Sequence, residues 1–167
     1  MIADELDAYS YNSVLDVGCG IGGTSRYVAR TTGARVAGID LTPEFVDAAI
    51  QLSKLVRMED CVNFQQGSAT EIPFEKNVFD ILTMLHVGMN VEGKLLMMTE
   101  LERVCKSGGK IMIYDVTLTS AETMNYPLPW ATTEEFSFPE PAPKYIEAAE
   151  ASGLVFLKQV DYGKLAK

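Results

Sequence analysis

The chain has 167 residues, 47% of them hydrophobic and 22% charged, which fits one globular domain (1–167) with a substantial core. A formal net charge of −9 argues against a nucleic-acid or anionic-membrane partner, whose phosphates would be repelled. No apolar run approaches the roughly 20 residues of a membrane span, and the acidic start with Asp4, Glu5 and Asp7 lacks the basic region of a secretory signal. Cys19, Cys61 and Cys105 follow no metal or CxxC spacing and read as free thiols in a reducing cytoplasm.

Strand and helix signals alternate throughout, the pattern of a doubly wound α/β fold with a mostly parallel sheet. Ser13 to Val17 reads as a first strand that runs into a loop holding Gly18, Gly20, Gly22 and Gly23. A helix from Thr24 to Thr31 follows, closed by Gly33. The second strand, Arg35 to Ile39, finishes at Asp40. Thr42 then caps a helix begun by Pro43, whose missing N–H costs nothing there. Phe45, Val46, Ala49, Ile50 and Leu52 give that helix a buried face at helical spacing.

A third strand, Cys61 to Gln65, leads to the loop Gly67–Phe74, and the fourth strand is Phe79 to Leu85. A helix from about Glu92 to Lys106, apolar at Leu95, Met98, Leu101 and Val104, is stopped by Ser107-Gly108-Gly109. Lys110 to Leu118 is a fifth strand. Residues 119–143 hold five prolines and no periodicity, and read as a substrate loop or lid. Lys144 to Ser152 is a helix closed by Gly153, and Leu154 to Asp161 a sixth strand whose open edge favours self-association into a homo-oligomer.

The glycine loop carries the first functional signal. Glycine lets the backbone enter conformations barred to other residues, and the helix behind presents unpaired N–H groups. Gly18-x-Gly20-x-x-Gly23, with Asp40 about 20 residues further on, satisfies the dinucleotide fingerprint, Asp40 being suited to ribose hydroxyls. Taken alone this leaves nicotinamide or flavin dinucleotides and other adenosyl ligands open. Two features favour a cationic adenosyl cofactor. Asp16 stands two residues before the first glycine, where a carboxylate helps an ammonium or sulfonium and not a pyrophosphate. The loop Gly67–Phe74 offers backbone groups on which an adenine could rest.

The segments Val14–Gly23 (VLDVGCGIGG), Gly38–Leu41, Gly67–Phe74 (GSATEIPF), Val78–Ile81 and Leu101–Gly109 (LERVCKSGG) resemble, in order and spacing, those of class I S-adenosylmethionine-dependent methyltransferases. The loop VGCGIGGTSRYVA is similar to that of small-molecule enzymes, the tocopherol and sterol types among them. HVGMNVEGK and YPLPWA resemble the sarcosine/dimethylglycine type. The resemblance implies a Rossmann-like fold, short of the N-terminal helical cap and the last strand that relatives carry, with residues 1–12 as a lid remnant near Tyr9 and Tyr11. It implies that Asp16, Gly18, Cys19 and Gly20 surround the methionine part of S-adenosyl-L-methionine. Asp40 would hold the ribose and Leu41 the adenine face; Ser68 and Ala69 would meet the adenine edge, and Leu85 and His86 the methyl end. Ser68 stands where the family commonly has Asp, and Ser107 where it often has Pro.

Methyl transfer needs an acceptor held at roughly 3–3.5 Å with water excluded, and a base only when the acceptor must lose a proton. His86, the only histidine, is the candidate base; its other reading is packing beside the cofactor. Tyr126 and Trp130 could bind a cationic amine by their ring faces or simply pin the loop. Asp115 could meet substrate or cap the sheet. The expected activity is methyl transfer to a small-molecule acceptor, with no metal. The rivals are an NAD(P)-binding oxidoreductase and a non-catalytic S-adenosylmethionine-binding module.

Overall fold

Alternation along each strand divides the apolar residues between two cores. In the computed structural model, which describes residues 12–119 and 124–163, β1 (Ser13–Val17) turns Val14 towards Val28, Ala29 and Val36, and Leu15 and Val17 towards Met97, Leu101 and Val104. β2 (Arg35–Asp40), β3 (Val62–Gln66), β4 (Phe79–Leu85) and β5 (Cys105–Tyr114) complete one sheet in the order β3-β2-β1-β4-β5, every pair parallel. Helices α1 (Gly23–Thr32) and α2 (Pro43–Leu55) meet through Arg26, whose guanidinium donates to Ser53 Oγ at 3.3 Å. Helices α3 (Lys94–Val104) and α4 (Ala142–Ala151) cover the other face with Leu101, Val104, Tyr145 and Ala148. A fully buried side chain such as Leu101 contributes about 1.5–3 kcal/mol, so this layered core carries most of the stability.

The start of β1 is tied to strands far along the chain. Asp80 accepts the Asn12 and Ser13 N–H groups, the Ser13 hydroxyl at 2.8 Å and the Lys106 ammonium at 2.7 Å. Those donors, Lys106 first, hold the Asp80 carboxyl well below the usual carboxylate range.

The five parallel strands and their helices match the expected architecture, with three differences. Phe45 and Leu95 are 48% and 52% exposed, because the buried stripes run through Val46, Ala49 and Ser53 on α2 and through Lys94, Met97, Met98, Leu101 and Val104 on α3. Each lies one residue, about 100° of turn, off its stripe. The pair Gly108-Gly109 does not stop α3. Cys105 is already extended and pairs with Phe79, and the next pair is Ile81 with Lys110, so the glycines lie in a bulge of β5. Gly109 is required there: a Cβ would stand 2.8 Å from the Asp80 carbonyl. Leu154 to Asp161 joins no strand ladder, and Val155, Phe156 and Leu157 are 80%, 44% and 64% exposed. β-Branched and aromatic content favours a strand only where a neighbouring strand is present to pair with it. The open edge expected there for self-association is therefore absent, and the sheet's edges among the described residues are β3 and β5. The acidic run Asp4, Glu5 and Asp7, with Tyr9 and Tyr11, lies outside the described residues.

Candidate functional site

β1 is central: the chain builds β2 and β3 outwards on one side of it, then crosses back to lay β4 and β5 on the other, and this reversal between β1 and β4 opens a crevice above the strands' carboxyl ends. The loop after β1 forms its floor. Gly18 and Cys19 both donate to the Ile39 carbonyl, at 2.8 and 2.9 Å. Gly18 has φ +73°, and a Cβ there would stand 2.2 Å from Val87 Cγ2, so conformation and space both demand glycine. Gly20 donates to Asp40 Oδ2 at 2.8 Å, and a Cβ on it would meet nothing within 4 Å. The loop's outer side is open. Asp40 Oδ1 accepts the Thr42 N–H at 3.0 Å, so both carboxylate oxygens are fixed at the end of β2. Cys19 is buried, its Sγ 3.6 Å from the Gly20 carbonyl, and burial pushes its thiol up to about 12. Its place in the site is given by its backbone.

Asp16 differs from its sequence reading. Its carboxylate does not face the crevice: it is 2% exposed and accepts the Ser25 hydroxyl at 2.6 Å and the Thr83 hydroxyl at 3.0 Å. The Ser25 N–H adds a third bond. α1 opens on Gly22, which has no side chain to cap the helix, so a carboxylate from β1 supplies part of that cap. Burial raises the Asp16 carboxyl's pKa and the three donors oppose it. Two carboxylates thus lie at the loop, and the Gly18, Cys19 and Gly20 N–H groups are taken by protein acceptors. Such a loop suits a positive ligand and disfavours a pyrophosphate.

Beside the ends of β2 and β3, where an adenine is expected, lies a cleft of about 410 Å³ lined by Leu41, Gln66, Gly67, Ser68, Glu71, Ile72 and Pro73. Leu41 is 69% exposed, an apolar face open to a ring. Ser68 Oγ lies 2.9 Å from Thr70 Oγ1 and accepts the Thr70 N–H, so it shapes its own turn; Ala69 packs on the core below. From α3, Glu100 accepts the Ile72 N–H at 2.7 Å, while Arg103 donates to the Ile72 and Phe74 carbonyls and to both Glu100 oxygens. Gln66, Glu100 and Arg103 escaped the sequence reading. A Gln before Gly67 was a usable signal; the α3 pair, about 30 residues away, had none.

On the far side, Leu85 ends β4 and His86 follows with φ +58°, exposed, its N–H on the Tyr114 carbonyl at 2.8 Å. Its ring meets Tyr114 edge-on, centroids 4.9 Å apart, and Tyr114 meets Tyr162 at 5.9 Å. Asp115 accepts the Tyr145 hydroxyl and the Val116 N–H, both at 2.9 Å. Burial, more than any charge, pushes both the Asp115 and the Tyr145 values up. Asp115 thus ties the end of β5 to α4 through Tyr145.

The proline-rich segment is clasped to the turn after β4. Asn90 donates to the Trp130 and Phe136 carbonyls, Phe138 N–H to the Met89 carbonyl, and buried Lys94 to the Val91 and Phe138 carbonyls. Tyr126 and Trp130 are half-buried on it, and the Trp130 indole N–H donates to Ser137 Oγ at 3.1 Å. A second cleft, about 380 Å³, is formed by Leu128–Thr132 and Phe136. Among the described residues no group of three or more His, Cys, Asp or Glu could hold a metal, and no helix is long and apolar enough to cross a membrane.

A family model described as a methyltransferase domain matches residues 15–113. Tocopherol O-methyltransferase of Arabidopsis thaliana is 37% identical over 112 residues, 67% of this chain and 32% of that protein. Norajmaline N-methyltransferase of Rauvolfia serpentina is 35% identical over 101 residues, 60% of this chain and 35% of its own length. The chain thus spans about a third of these curated relatives. In fold it is similar to geranyl diphosphate C-methyltransferase of Streptomyces coelicolor, solved with S-adenosyl-L-homocysteine. That likeness has a TM-score of 0.78 and 22% identity, over 90% of this chain and 56% of that one.

Proposed function

This chain belongs to the methyltransferase domain family, and on that premise we propose that it binds S-adenosyl-L-methionine and directs its methyl group to a small-molecule acceptor. The observation that carries the reading is the loop's double acidity. Gly20 N–H is held by Asp40 and the Ser25 hydroxyl by buried Asp16, an arrangement that favours a cation and repels a pyrophosphate.

The residues fit that group part by part. Asp40, anchored on Gly20 and Thr42, is presented to ribose hydroxyls; exposed Leu41 and the cleft from Gln66 to Pro73 would take the adenine. Gly18 and Gly20 let the ligand approach the main chain, with Asp16 acting from beneath as a buried charge. When bound, the cofactor supplies an electrophilic methyl on a sulfonium and leaves as S-adenosylhomocysteine. The chain's own part is to orient and to exclude water. His86, exposed just after β4, would accept a proton from an acceptor that must lose one. Tyr126 and Trp130, on the clasped segment, are the candidate acceptor contacts, in keeping with a lid role for residues 119–143. Free thiols at Cys19, Cys61 and Cys105 agree with a reducing, cytoplasmic setting.

Calorimetric titration separates the rivals. S-adenosylhomocysteine is expected to give a saturable heat and reduced nicotinamide dinucleotide none; the reverse pair overturns the reading. A screen of amines, phenols and isoprenoids for S-adenosylhomocysteine release then identifies the acceptor, and His86→Ala is expected to slow only acceptors that must be deprotonated.

A further inference from the structure

We propose that Ser25 and Thr83 are positioning residues for the cofactor: their hydroxyls keep the Asp16 carboxylate charged and fixed beneath the glycine loop, where it favours a cationic ligand. This rests on the function proposed above and assigns work to two residues outside the crevice.

The sheet register places Asp16 beside Thr83 on one flank and beside Gly38 on the other. Two residues earlier on the same strands and the same face stand Val14 and Ile81, both buried. A carboxylate, a serine and a threonine with 2%, 0% and 0% exposure therefore interrupt an apolar layer. Capping of α1 accounts for a carboxylate at Asp16 but not for the Ser25 and Thr83 hydroxyls, since apolar residues of similar shape can fill such a layer at little cost. The Ser25 contact of 2.6 Å lies at the short end of hydroxyl–oxygen bonds, within the range of a hydroxyl donating to a carboxylate. Thr83's other contact, to the Leu15 carbonyl at 3.5 Å, is at the limit of a hydrogen bond, so Asp16 is its partner.

The surroundings oppose that charge. Burial drives Asp16 towards protonation, and Asp40 across the loop adds to it. Cys19 is uncharged through neutral pH, and the Arg26 guanidinium is turned to the Ile21 carbonyl and Ser53 Oγ. The hydroxyls and the Ser25 N–H are what favours the anion. Without a hydroxyl, Asp16 takes up a proton at higher pH, and the ligand loses its counter-charge first on the acid side.

The test is calorimetry with S-adenosylmethionine and with uncharged adenosine, from pH 6 to pH 8, on the whole chain. Wild type is expected to bind S-adenosylmethionine with little change across the range. Ser25→Ala and Thr83→Val are expected to bind it about tenfold more weakly at pH 6 than at pH 8. Thr83→Ser restores the flat profile, and Asp16→Asn binds weakly at every pH. Adenosine affinity stays alike in all, which also reports an intact fold. Wild-type affinity at every pH in both hydroxyl variants overturns the proposal, as does an equal, pH-independent loss for both ligands. Wild-type protein that binds neither ligand overturns the function reading itself.

Discussion

The two stretches of the chain, before and after Tyr114, hold their loops by different means. In the first, the glycine loop and the loop after β3 are fixed by side chains reaching from other elements: Asp40 on Gly20, with Asp16 on Ser25 behind it, and Glu100 and Arg103 on the loop after β3. In the second, the proline-rich segment is held mainly at one turn by Asn90 and Lys94, and the stretch after α4 lies exposed. Residues 15–113, where the family model matches, coincide with the tightly held part. A cofactor common to a family needs one fixed geometry. Acceptor sites must differ, as O-, N- and C-methyltransferases among the relatives do.

Three substitutions test that contrast. Gly18→Ala combines a left-handed φ with a Cβ driven into Val87, and is expected to cost about 2–4 kcal/mol in denaturant unfolding and to abolish S-adenosylhomocysteine binding. A variant that unfolds and binds like wild type would show the first stretch to be looser than described. Arg103→Met removes the bonds to two loop carbonyls and to Glu100. It is expected to weaken S-adenosylhomocysteine binding about threefold to tenfold, with a stability loss near 1 kcal/mol because Arg103 is a third exposed. Asn90→Ala removes two bonds from the clasp. Stability falls by less than about 1 kcal/mol and cofactor affinity stays unchanged, while protease cuts residues 119–141 faster. Weakened cofactor binding in Asn90→Ala would erase the distinction between the stretches.

Local patterns were legible wherever one periodicity or one turn decided the outcome. β1, β4, the Gly33 stop and the Pro43 start of α2 follow directly from the residues, and the glycine loop with Asp40 marked the crevice. What escaped depends on partners distant in sequence. The sequence points Asp16 at a ligand because nothing nearby shows that Ser25 and Thr83 enclose it. Gly108-Gly109 looks like a helix stop until Cys105 is seen paired with Phe79. Leu154 to Asp161 has strand composition, but no neighbouring ladder to join. Phe45 and Leu95 show that a stripe one residue out of phase is hard to tell apart in a helix with many apolar residues.

The ties between β1 and the strands beyond it also set an order of assembly. Ser13 with Asp80 and Asp16 with Thr83 each close 67 residues of chain, and Lys106 reaches Ser13 across 93. Contacts so distant in sequence form late and slowly, after the local helices. β1, made before the other four strands of this sheet, is therefore flanked on both sides only once β4 has emerged, and Asp80 receives Lys106 later still. A nascent chain shorter than about this length carries the whole glycine loop yet lacks the charge geometry beneath it. On the function proposed above, competence to hold the cofactor arises at a late point in synthesis, although the residues that signal it precede β4 in the chain.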